Sequence, residues 1–265
     1  MILIDTHAHF PKSKTRTKDI LNRAAEQDVK YCIGIGTDLK ENDSIINHAL
    51  MFEHLYAGIG IYPNSEMAKR PATLTEQLEK QIKRANSGSK KVVIAIGECG
   101  IDITEWHNQR PLKEQLELFE LQILLAQKLT LPVIIHNRNG DEHILKLLQK
   151  YNNQNLQGVV HCFDSTLEFA NKILELNFYI SFTGFLTFNR KSYLADIVKE
   201  IPLNRILIET DSPYIVPKGV KEERNEPKNV KMVAQRLADI KGLSVEQVAK
   251  ETTNNASKLF EIAFN

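Results

Sequence analysis

The 265-residue sequence predicts an α/β fold of the (β/α)₈, or TIM barrel, class, followed by a C-terminal helical extension. Two observations carry this prediction. Eight short apolar segments typical of buried strands alternate, for the most part, with amphipathic segments of helical periodicity. The chain length is also close to the roughly 250 residues that eight strand–helix units occupy in such a barrel. Because no Pro-, Gly- or Ser-rich linker and no internal repeat interrupts the pattern, residues 1–265 are expected to form one domain.

Each predicted strand is a short, continuous apolar run. The eight runs are residues 2–4, 31–36, 56–61, 92–97, 131–135, 158–160, 179–184 and 206–210. Continuous runs, rather than alternating ones, suit strands that are buried on both faces of a parallel sheet. Because parallel neighbours need right-handed crossover connections, the helical segments between the runs fit the same architecture.

Amphipathic helices are predicted between most of these strands and after the last one. They are residues 17–27, 73–86, 111–129, 141–151, 165–176 and 191–200, followed by 230–240 and 244–262 in the tail. The segments that start at Thr73 and Ser165 each open with a Ser/Thr-x-x-Glu capping box, which satisfies two free amide donors. Pro111 suits the first turn of its helix, where a missing N–H group costs nothing.

An open, doubly wound parallel sheet is the alternative fold. That fold binds nucleotides at a glycine-rich turn directly after its first strand. The first strand here runs into Thr6-His7-Ala8-His9, which contains no glycine. The barrel is therefore the favoured prediction, and in a barrel the functional side chains gather at the C-terminal ends of the strands.

Side chains of the types that commonly bind metal ions lie at the ends of five predicted strands. They are His7 and His9, Glu98, His136, His161 and Asp211. On an extended backbone, residues i and i+2 point to the same side, so His7 and His9 can converge on one ion. A single buried histidine or carboxylate is commonly structural, but six such groups would be costly to bury without compensation. The set therefore predicts a metal site at the C-terminal mouth of the barrel.

The composition is that of an ordinary globular protein, with a formal net charge of +1. This balance argues against a broad electrostatic footprint on duplex nucleic acid. No run is long enough to cross a bilayer, and the N-terminus lacks the basic leader of a signal peptide. Cys32, Cys99 and Cys162 are expected to be buried free thiols, which favours a cytoplasmic location. No obligate protein partner is evident.

Several longer motifs follow one another in order along nearly the whole chain. They are Ile4-Asp5-Thr6-His7-Ala8-His9, Ile96-Gly97-Glu98-Cys99-Gly100-Ile101-Asp102, Pro132-Val133-Ile134-Ile135-His136, Val160-His161-Cys162-Phe163, Glu209-Thr210-Asp211-Ser212-Pro213-Tyr214 and Arg224-Asn225-Glu226-Pro227. In these motifs the sequence resembles the TatD family of metal-dependent deoxyribonucleases, which belongs to the amidohydrolase-like barrels. The resemblance implies a cytoplasmic hydrolase that acts on DNA phosphodiesters.

The resemblance also implies a site for two divalent cations. The resemblance implies that one ion is bound by His7, His9 and Asp211. The other ion is bound by His136 and His161, and Glu98 bridges the two ions. Six ligands are too many for one tetrahedral ion, whereas a shared carboxylate suits two ions about 3.5–4 Å apart. Four imidazoles favour Zn, Mn, Fe or Ni over Mg, although the family is often described as magnesium-dependent.

The implied reaction is metal-assisted hydrolysis by a 3′-to-5′ exonuclease that acts on single-stranded DNA ends. Asp211 and Glu98 are expected to be catalytic, with Asp211 as the proton acceptor because bridging leaves Glu98 less free. Arg138, two residues after His136, could bind a phosphate or brace its loop through a salt bridge. The alternative is a metal-dependent ester or amide hydrolase, such as a D-aminoacyl-tRNA deacylase, because the same metal pair can activate a carbonyl.

Two positions depart from the usual family pattern. Tyr62 stands in a Gly-Ile-Tyr-Pro segment where histidine is usual, and it is expected to contact the substrate. A tyrosine there can donate a hydrogen bond but does not take up a proton near neutral pH. Asp164 stands where a small Ser-Gly pair is commoner, and it is expected to cap the helix from Ser165 rather than to act in the site.

Other polar residues near the motifs are expected to have secondary roles. Asp102 could orient a metal ligand or cap its own loop. Arg224 and Glu226 are expected to pin the tail over the barrel rim. Surface positions are expected for His107 and His143. Trp106 is expected to pack at the barrel rim against the next loop rather than to stack on a nucleobase.

Overall fold

The computed structural model describes residues 1–104, 109–152 and 156–263. Eight parallel strands stand side by side in chain order, each paired with the next. They are β1 (Leu3–Ala8), β2 (Val29–Gly36), β3 (Leu55–Ile59), β4 (Val93–Asp102), β5 (Val133–Arg138), β6 (Gly158–Val160), β7 (Tyr179–Phe182) and β8 (Ile206–Ile208). Ala8 forms a parallel bridge with Ser212, just after β8, so the two edges of the sheet meet in a nearly closed barrel. The fold class predicted from the sequence is confirmed.

Helices follow the strands around the barrel and continue beyond the last one. They are α1 (Lys14–Ala25), α2 (Leu39–Met51), α3 (Pro71–Ala85), α4 (Leu112–Leu129), α5 (Asp141–Tyr151), α6 (Leu167–Glu175), α7 (Tyr193–Glu200), α8 (Val230–Lys241) and α9 (Val245–Phe260). Short 3₁₀ turns at Gly184–Thr187 and Asn189–Lys191 lead from β7 into α7. Within the described ranges, no helix combines the length and the apolarity needed to span a membrane.

The C-terminal helix α9 packs at the N-terminal ends of the strands. Thr253 donates a hydrogen bond to the carbonyl of Ile2, directly before β1, at 3.1 Å. Asn255 donates to the carbonyl of Ile206, the first residue of β8, at 2.8 Å. Phe260 is buried in a cluster with apolar side chains of the barrel strands. Because α9 covers this end, access to the barrel is left at the C-terminal ends of the strands.

Helix α2 was not predicted from the sequence. Its start is well capped, because Asp38 accepts hydrogen bonds from the amides of Lys40 and Glu41 at 2.8 Å each. Its buried face includes the polar residues Asn42 and His48. Polar side chains on the core-facing side weaken the apolar periodicity that identifies a helix in a sequence.

Both predicted capping boxes are wrong. Helix α3 begins at Pro71, which places Thr73 inside its first turn. Helix α6 begins at Leu167 and is capped by Thr166, which accepts a hydrogen bond from the amide of Phe169 at 3.1 Å. The predicted helix cap at Asp164 is also wrong, because the Asp164 carboxylate pairs with residues near α7 instead. The observed start lies two residues before the predicted one in α3 and two residues after it in α6.

Strand β4 continues past Glu98, whereas the sequence predicts a strand that ends before it. The pairing of β4 with β5 is irregular between Ile96 and Cys99. Gly97 lies at this irregularity with a φ of +151°, and a Cβ atom there would lie 2.4 Å from the carbonyl oxygen of Ile134. Only glycine tolerates this approach of the two strands. Glu98 therefore belongs to the strand itself, at a point where the regular alternation of side chains is interrupted.

Candidate metal centre

A cleft of about 1900 Å³ opens at the C-terminal ends of the strands. The structure brings all six predicted metal ligands together at this end of the barrel. They lie on β1 (His7), directly after it (His9), on β4 (Glu98), on β5 (His136), directly after β6 (His161) and after β8 (Asp211). Five of them line the cleft, and His7 is fully buried beside them.

The first group of candidate ligand atoms belongs to His7, His9 and Asp211. Distances within the group are measured from the Asp211 carboxylate. Its Oδ1 atom lies 3.7 Å from Nε2 of His7 and 3.5 Å from Nε2 of His9. These separations are longer than ordinary hydrogen bonds. Ligand atoms about 2.1 Å from one ion in tetrahedral geometry would be about 3.4 Å apart, which is close to the observed spacing. The group therefore has the dimensions of a coordination site.

The second group of candidate ligand atoms belongs to Glu98, His136 and His161. The Oε1 atom of Glu98 lies 2.7 Å from Nδ1 of His136 and 3.1 Å from Nε2 of His161. The Oε2 atom of the same carboxylate lies 3.7 Å from Nε2 of His7 and 3.8 Å from Nε2 of His9. Each oxygen of Glu98 thus faces a different pair of histidines, as a carboxylate shared by two cations would.

His7 shows that the residues fit a metal ion. Both ring nitrogens are buried, and neither has a hydrogen-bond partner among the described residues. Burial lowers the pKa of His7, and the charge of His161 lowers it further, so the neutral, metal-binding form is favoured. The His7 ring stacks on the ring of His161, with centroids 3.9 Å apart. An orphaned, neutral imidazole among carboxylates is explained by coordination and costly without it.

In the absence of cations, the other histidines around Glu98 hold protons where cations would bind. Burial alone would lower the pKa of His161, but the charges of Glu98 and Glu209 hold it well above its usual range. Burial alone would raise the pKa of Glu98, but the charge of His161 and hydrogen bonds from His136 and His161 hold it well below its usual range. Protons and cations therefore compete for the same nitrogens.

Glu209 supports His161 from the side away from Glu98, a role that was not predicted from the sequence. Its Oε1 atom lies 3.3 Å from Nδ1 of His161 and accepts a hydrogen bond from the amide of Cys162 at 2.6 Å. Glu209 is almost fully buried. A carboxylate on the second nitrogen of a metal-binding histidine fixes the orientation of the ring. The sequence feature that could have indicated this role is a second acidic residue two positions before Asp211, at the end of the same predicted strand.

Asp5 anchors the segment after β8, and this role was also missed. Its carboxylate accepts hydrogen bonds from the amide of Thr210 at 2.9 Å and from the Thr210 hydroxyl at 2.5 Å. It also accepts one from the amide of His7 at 3.3 Å. Burial raises the pKa of Asp5 to about 8 despite these hydrogen bonds. Asp5 thereby ties the strand that carries His7 to the segment that carries Asp211.

The position of Asp211 is held by the backbone on both sides. Its amide donates to the carbonyl of His7 at 2.9 Å, and its carbonyl accepts from the amide of Tyr214 at the same distance. Asp211 adopts a φ of +52°, in the left-handed region that is costly for residues other than glycine. Asn225, from the tail motif, donates to the carbonyls of Thr210 and Ile215 at 3.0 Å each. The tail motif therefore braces the loop that presents Asp211.

Asp102 and Tyr62 form a chain of contacts behind His136. The Asp102 carboxylate lies 3.4 Å from Nε2 of His136 and accepts a hydrogen bond from the Tyr62 hydroxyl. Burial alone would raise the pKa of Asp102, but hydrogen bonds from His136, Thr104 and Tyr62 hold it well below its usual range. Tyr62 lines the cleft with its hydroxyl engaged by Asp102.

Of the other residues singled out in the sequence, Arg138, Cys162 and His143 line the cleft. Arg138 is exposed, lines the cleft and forms no ion pair with any residue that the structure describes. Glu226 pairs with Arg23 of α1 through two hydrogen bonds, at 2.7 and 2.8 Å. Cys162 is only partly buried and lines the cleft, so its prediction as a buried thiol is wrong. His143 lines the cleft from the first turn of α5. Trp106 and His107 lie outside the described residues.

Asp164, in the loop after β6, lines the cleft. Its carboxylate accepts hydrogen bonds from Lys191 and from the hydroxyl of Tyr193. The amino group of Lys191 also lies 5.2 Å from the ring centroid of Phe185. These contacts join the loop after β6 to the loop after β7.

Known proteins resemble this chain over nearly its full length. The model of the family described as TatD related DNase matches residues 4–261. A Bacillus subtilis (strain 168) protein named uncharacterized metal-dependent hydrolase YabD is 35% identical, covering 98% of this chain and 100% of that protein. An Escherichia fergusonii protein named 3′-5′ ssDNA/RNA exonuclease TatD is 30% identical, covering 98% of this chain and 97% of that protein.

A solved structure agrees with these sequence matches. The crystal structure of YJJV, a TatD homolog from Escherichia coli K12, superposes with a TM-score of 0.89 at 28% identity and covers 98% of both chains. Since the family match, the relatives and the fold all agree, this chain belongs to the TatD family and is a metal-dependent hydrolase.

Proposed function

We propose that this chain is a two-metal phosphodiesterase that removes nucleotides from the 3′ ends of single-stranded DNA. The observation that carries the proposal is the division of the Glu98 carboxylate between two sets of histidines. Related proteins named as exonucleases for single-stranded DNA and RNA support a nucleic-acid substrate. The size of the cleft, about 1900 Å³, suits a substrate larger than one small metabolite.

Two cations would be held by Glu98 and the five groups around it. One cation would be held by His7, His9 and Asp211. The other would be held by His136 and His161, and Glu98 would be shared by both cations. Four imidazoles in the set favour Zn, Mn, Fe or Ni over Mg. When bound, such cations supply Lewis acidity that lowers the pKa of a water and stabilises negative charge on a phosphoryl group.

Asp211 is the proposed proton acceptor. Its Oδ1 atom faces His7 and His9, whereas its Oδ2 atom has no hydrogen-bond partner in the described part of the chain. Both oxygens of Glu98, in contrast, already face histidines. Asp211 therefore has an oxygen free to take a proton, and Glu98 does not.

Arg138 and Tyr62 are the proposed substrate contacts on the His136 side. The Arg138 guanidinium is exposed on the cleft wall and can bind a phosphate through two parallel hydrogen bonds. The Tyr62 hydroxyl donates to Asp102, so we assign its substrate contact to the ring rather than to the hydroxyl.

Cleavage of end-labelled oligonucleotides tests the proposal. Metal-stripped protein is reloaded separately with Mg²⁺, Mn²⁺ or Zn²⁺ and mixed with single-stranded DNA labelled at its 3′ or its 5′ end. We expect stepwise shortening from the 3′ end that requires a cation, and matched RNA measures the preference between the two nucleic acids. Glu98→Ala should abolish cleavage. Glu168→Ala, which removes an exposed carboxylate on α6 that pairs with Lys172, is the matched control.

The alternative reaction is tested with the same preparation. The metal pair could also activate a carbonyl, as in the removal of a D-amino acid from transfer RNA. If protein with two bound cations leaves every oligonucleotide intact but hydrolyses an aminoacyl ester, the phosphodiesterase proposal is wrong and the metal centre stands.

We also propose that the protein acts in the cytoplasm. All three cysteines are free thiols, as is usual in a reducing compartment. Fractionation of cells that produce the tagged full-length chain tests this location directly.

A further inference from the structure

Tyr214 stands at the edge of the cleft with most of its side chain in solvent. It is 61% exposed, the highest value among the large apolar side chains of the described residues, and it lines the same cleft as the proposed ligands. Its ring meets the ring of His9 edge-on, with centroids 5.7 Å apart. Because its hydroxyl has no hydrogen-bond partner within the described ranges, no polar contact accounts for a large ring at this place.

The backbone beneath this ring is fixed. The amide of Tyr214 donates to the carbonyl of Asp211 at 2.9 Å, which closes a turn. Asn225 holds the residues on either side, because its amide donates to the carbonyl of Pro213 and its side chain to the carbonyl of Ile215, both at 3.0 Å. An aromatic ring on a rigid turn offers a large contact area at a small cost in conformational entropy.

A free cation accompanies the ring. Arg224 is exposed and forms no ion pair with any described residue, whereas Glu226 of the same motif is engaged by Arg23. Asn225, the residue after Arg224, donates its amide to the carbonyl of Pro213, the residue before Tyr214, at 3.0 Å, which places Arg224 beside the turn that carries the ring. A flat ring and an unpaired guanidinium at one rim match the two parts of a nucleotide, its base and its phosphate.

We propose that Tyr214 and Arg224 form a nucleotide subsite at the mouth of the metal centre. The Tyr214 ring stacks on the base beside the scissile phosphodiester, and Arg224 binds a neighbouring phosphate. This subsite rests on the proposed phosphodiesterase function. Because every base presents a flat face, stacking positions the nucleotide without selecting its sequence.

The test compares substrates with and without a base at the cleaved end. One single-stranded oligonucleotide has ordinary nucleotides, and its partner has stable tetrahydrofuran abasic residues at the last two 3′ positions. We expect Tyr214→Ala to lower kcat/KM on the ordinary substrate by about 5- to 100-fold, the range for loss of one stacked base. Tyr214→Phe keeps the ring and should match the unmutated protein. On the abasic substrate all three proteins should cleave at similar rates.

Two controls separate stacking from damage to the site. Leu50→Ala removes a similarly exposed apolar side chain on α2, which does not line the cleft, and should change neither rate. Bound metal, measured by elemental analysis, should be equal in all variants, because the Tyr214 ring also touches His9. Arg224→Ala should reduce the slope of log affinity against log salt concentration by about 0.7, the value for one phosphate contact on a single strand.

The outcomes distinguish the subsite from the function on which it rests. If Tyr214→Ala lowers kcat/KM by the same factor on the ordinary and the abasic substrates, Tyr214 acts through His9 or through the turn. That result would overturn the subsite. If the metal-loaded, unmutated protein cleaves neither substrate, the phosphodiesterase proposal itself fails. An unchanged salt slope in Arg224→Ala removes Arg224 from the subsite.

Discussion

Glu209→Gln is expected to weaken cation binding about 10- to 100-fold while leaving the barrel folded. The Glu209 carboxylate lies 3.3 Å from Nδ1 of His161, and both side chains are almost fully buried. At an effective dielectric constant of about 20, two unit charges at that separation interact by about 5 kcal/mol, which is an upper bound for the loss. A glutamine oxygen can still accept hydrogen bonds from His161 and from the amide of Cys162. The expected loss is therefore a fraction of the bound, about 1.4–2.7 kcal/mol, which corresponds to the stated range of affinity.

The assay is a competition titration of metal-stripped protein with Zn²⁺ or Mn²⁺ against a chromogenic chelator. Glu209→Gln should also move the pH dependence of binding. Because Glu209 is one of the charges that raise the pKa of His161, its neutralisation lowers that pKa and reduces competition from protons. The midpoint of the pH profile should therefore shift to lower pH in the variant. Glu168→Gln makes the same chemical change on the surface of α6 and should alter neither quantity.

One result would refute this reasoning. If Glu209→Gln binds both cations with the affinity and pH profile of the unmutated protein, Glu209 does not orient a ligand. His161 would then lose its strongest structural support as a metal-binding residue, although its place beside Glu98 would be unchanged.

Three further predictions concern the pH dependence, the chain of contacts behind His136 and a buried cation. In metal-stripped protein the raised pKa values of His136 and His161 stabilise the fold at pH values below about 6.5, and this contribution is lost as the pH rises through the raised values. The Tm measured in chelator should therefore fall from pH 7 to 9, and excess Mn²⁺ should remove the fall. Tyr62→Phe removes the hydroxyl that donates to Asp102, so metal affinity should fall by up to about tenfold in the same titration, with Tyr56→Phe outside the cleft as the control. Arg110→Met removes a fully buried guanidinium that donates to the carbonyls of Pro63 at 3.1 Å and Ser65 at 2.9 Å. Urea denaturation should show a loss of about 2–4 kcal/mol, and an unchanged midpoint would contradict the role of Arg110 in fixing the loop that follows Tyr62.

The barrel and the meeting of the six candidate ligands at one end of it were predictable because both depend on short-range patterns. A continuous apolar run identifies a buried parallel strand, and residues at the ends of such strands meet at one edge of the sheet. The prediction that His7 and His9 point to the same side required only the two-residue side-chain period of an extended backbone. The prediction missed α2 because Asn42 and His48 interrupt its apolar face with buried polar groups. A tertiary environment that satisfies polar groups inside the core is invisible to a periodicity argument.

The supporting residues of the site were harder to predict for a different reason. His161 and Glu209 are 48 positions apart, and Asp5 and Thr210 are 205 positions apart. All four stand in motifs that were recognised from the sequence, but a motif does not state which of its acidic residues faces inward or what it contacts. Pairings of this kind require the order and closure of the strands, which only the folded barrel supplies.

The strained backbone of Asp211 shows how these distant contacts act together. A left-handed φ of +52° costs up to about 1–2 kcal/mol at a residue other than glycine, and aspartate is one of the few such residues that adopt it. Asp5 holds Thr210 on one side, Asn225 holds the carbonyls of Thr210 and Ile215, and the carbonyl of His7 accepts the Asp211 amide. No single hydrogen bond in this set enforces the conformation, but together they leave the loop few alternatives. The conformation brings Oδ1 of Asp211 close to His7 on β1 and to His9 directly after it. The strain is therefore the local cost of joining the two ends of the barrel in the proposed metal site.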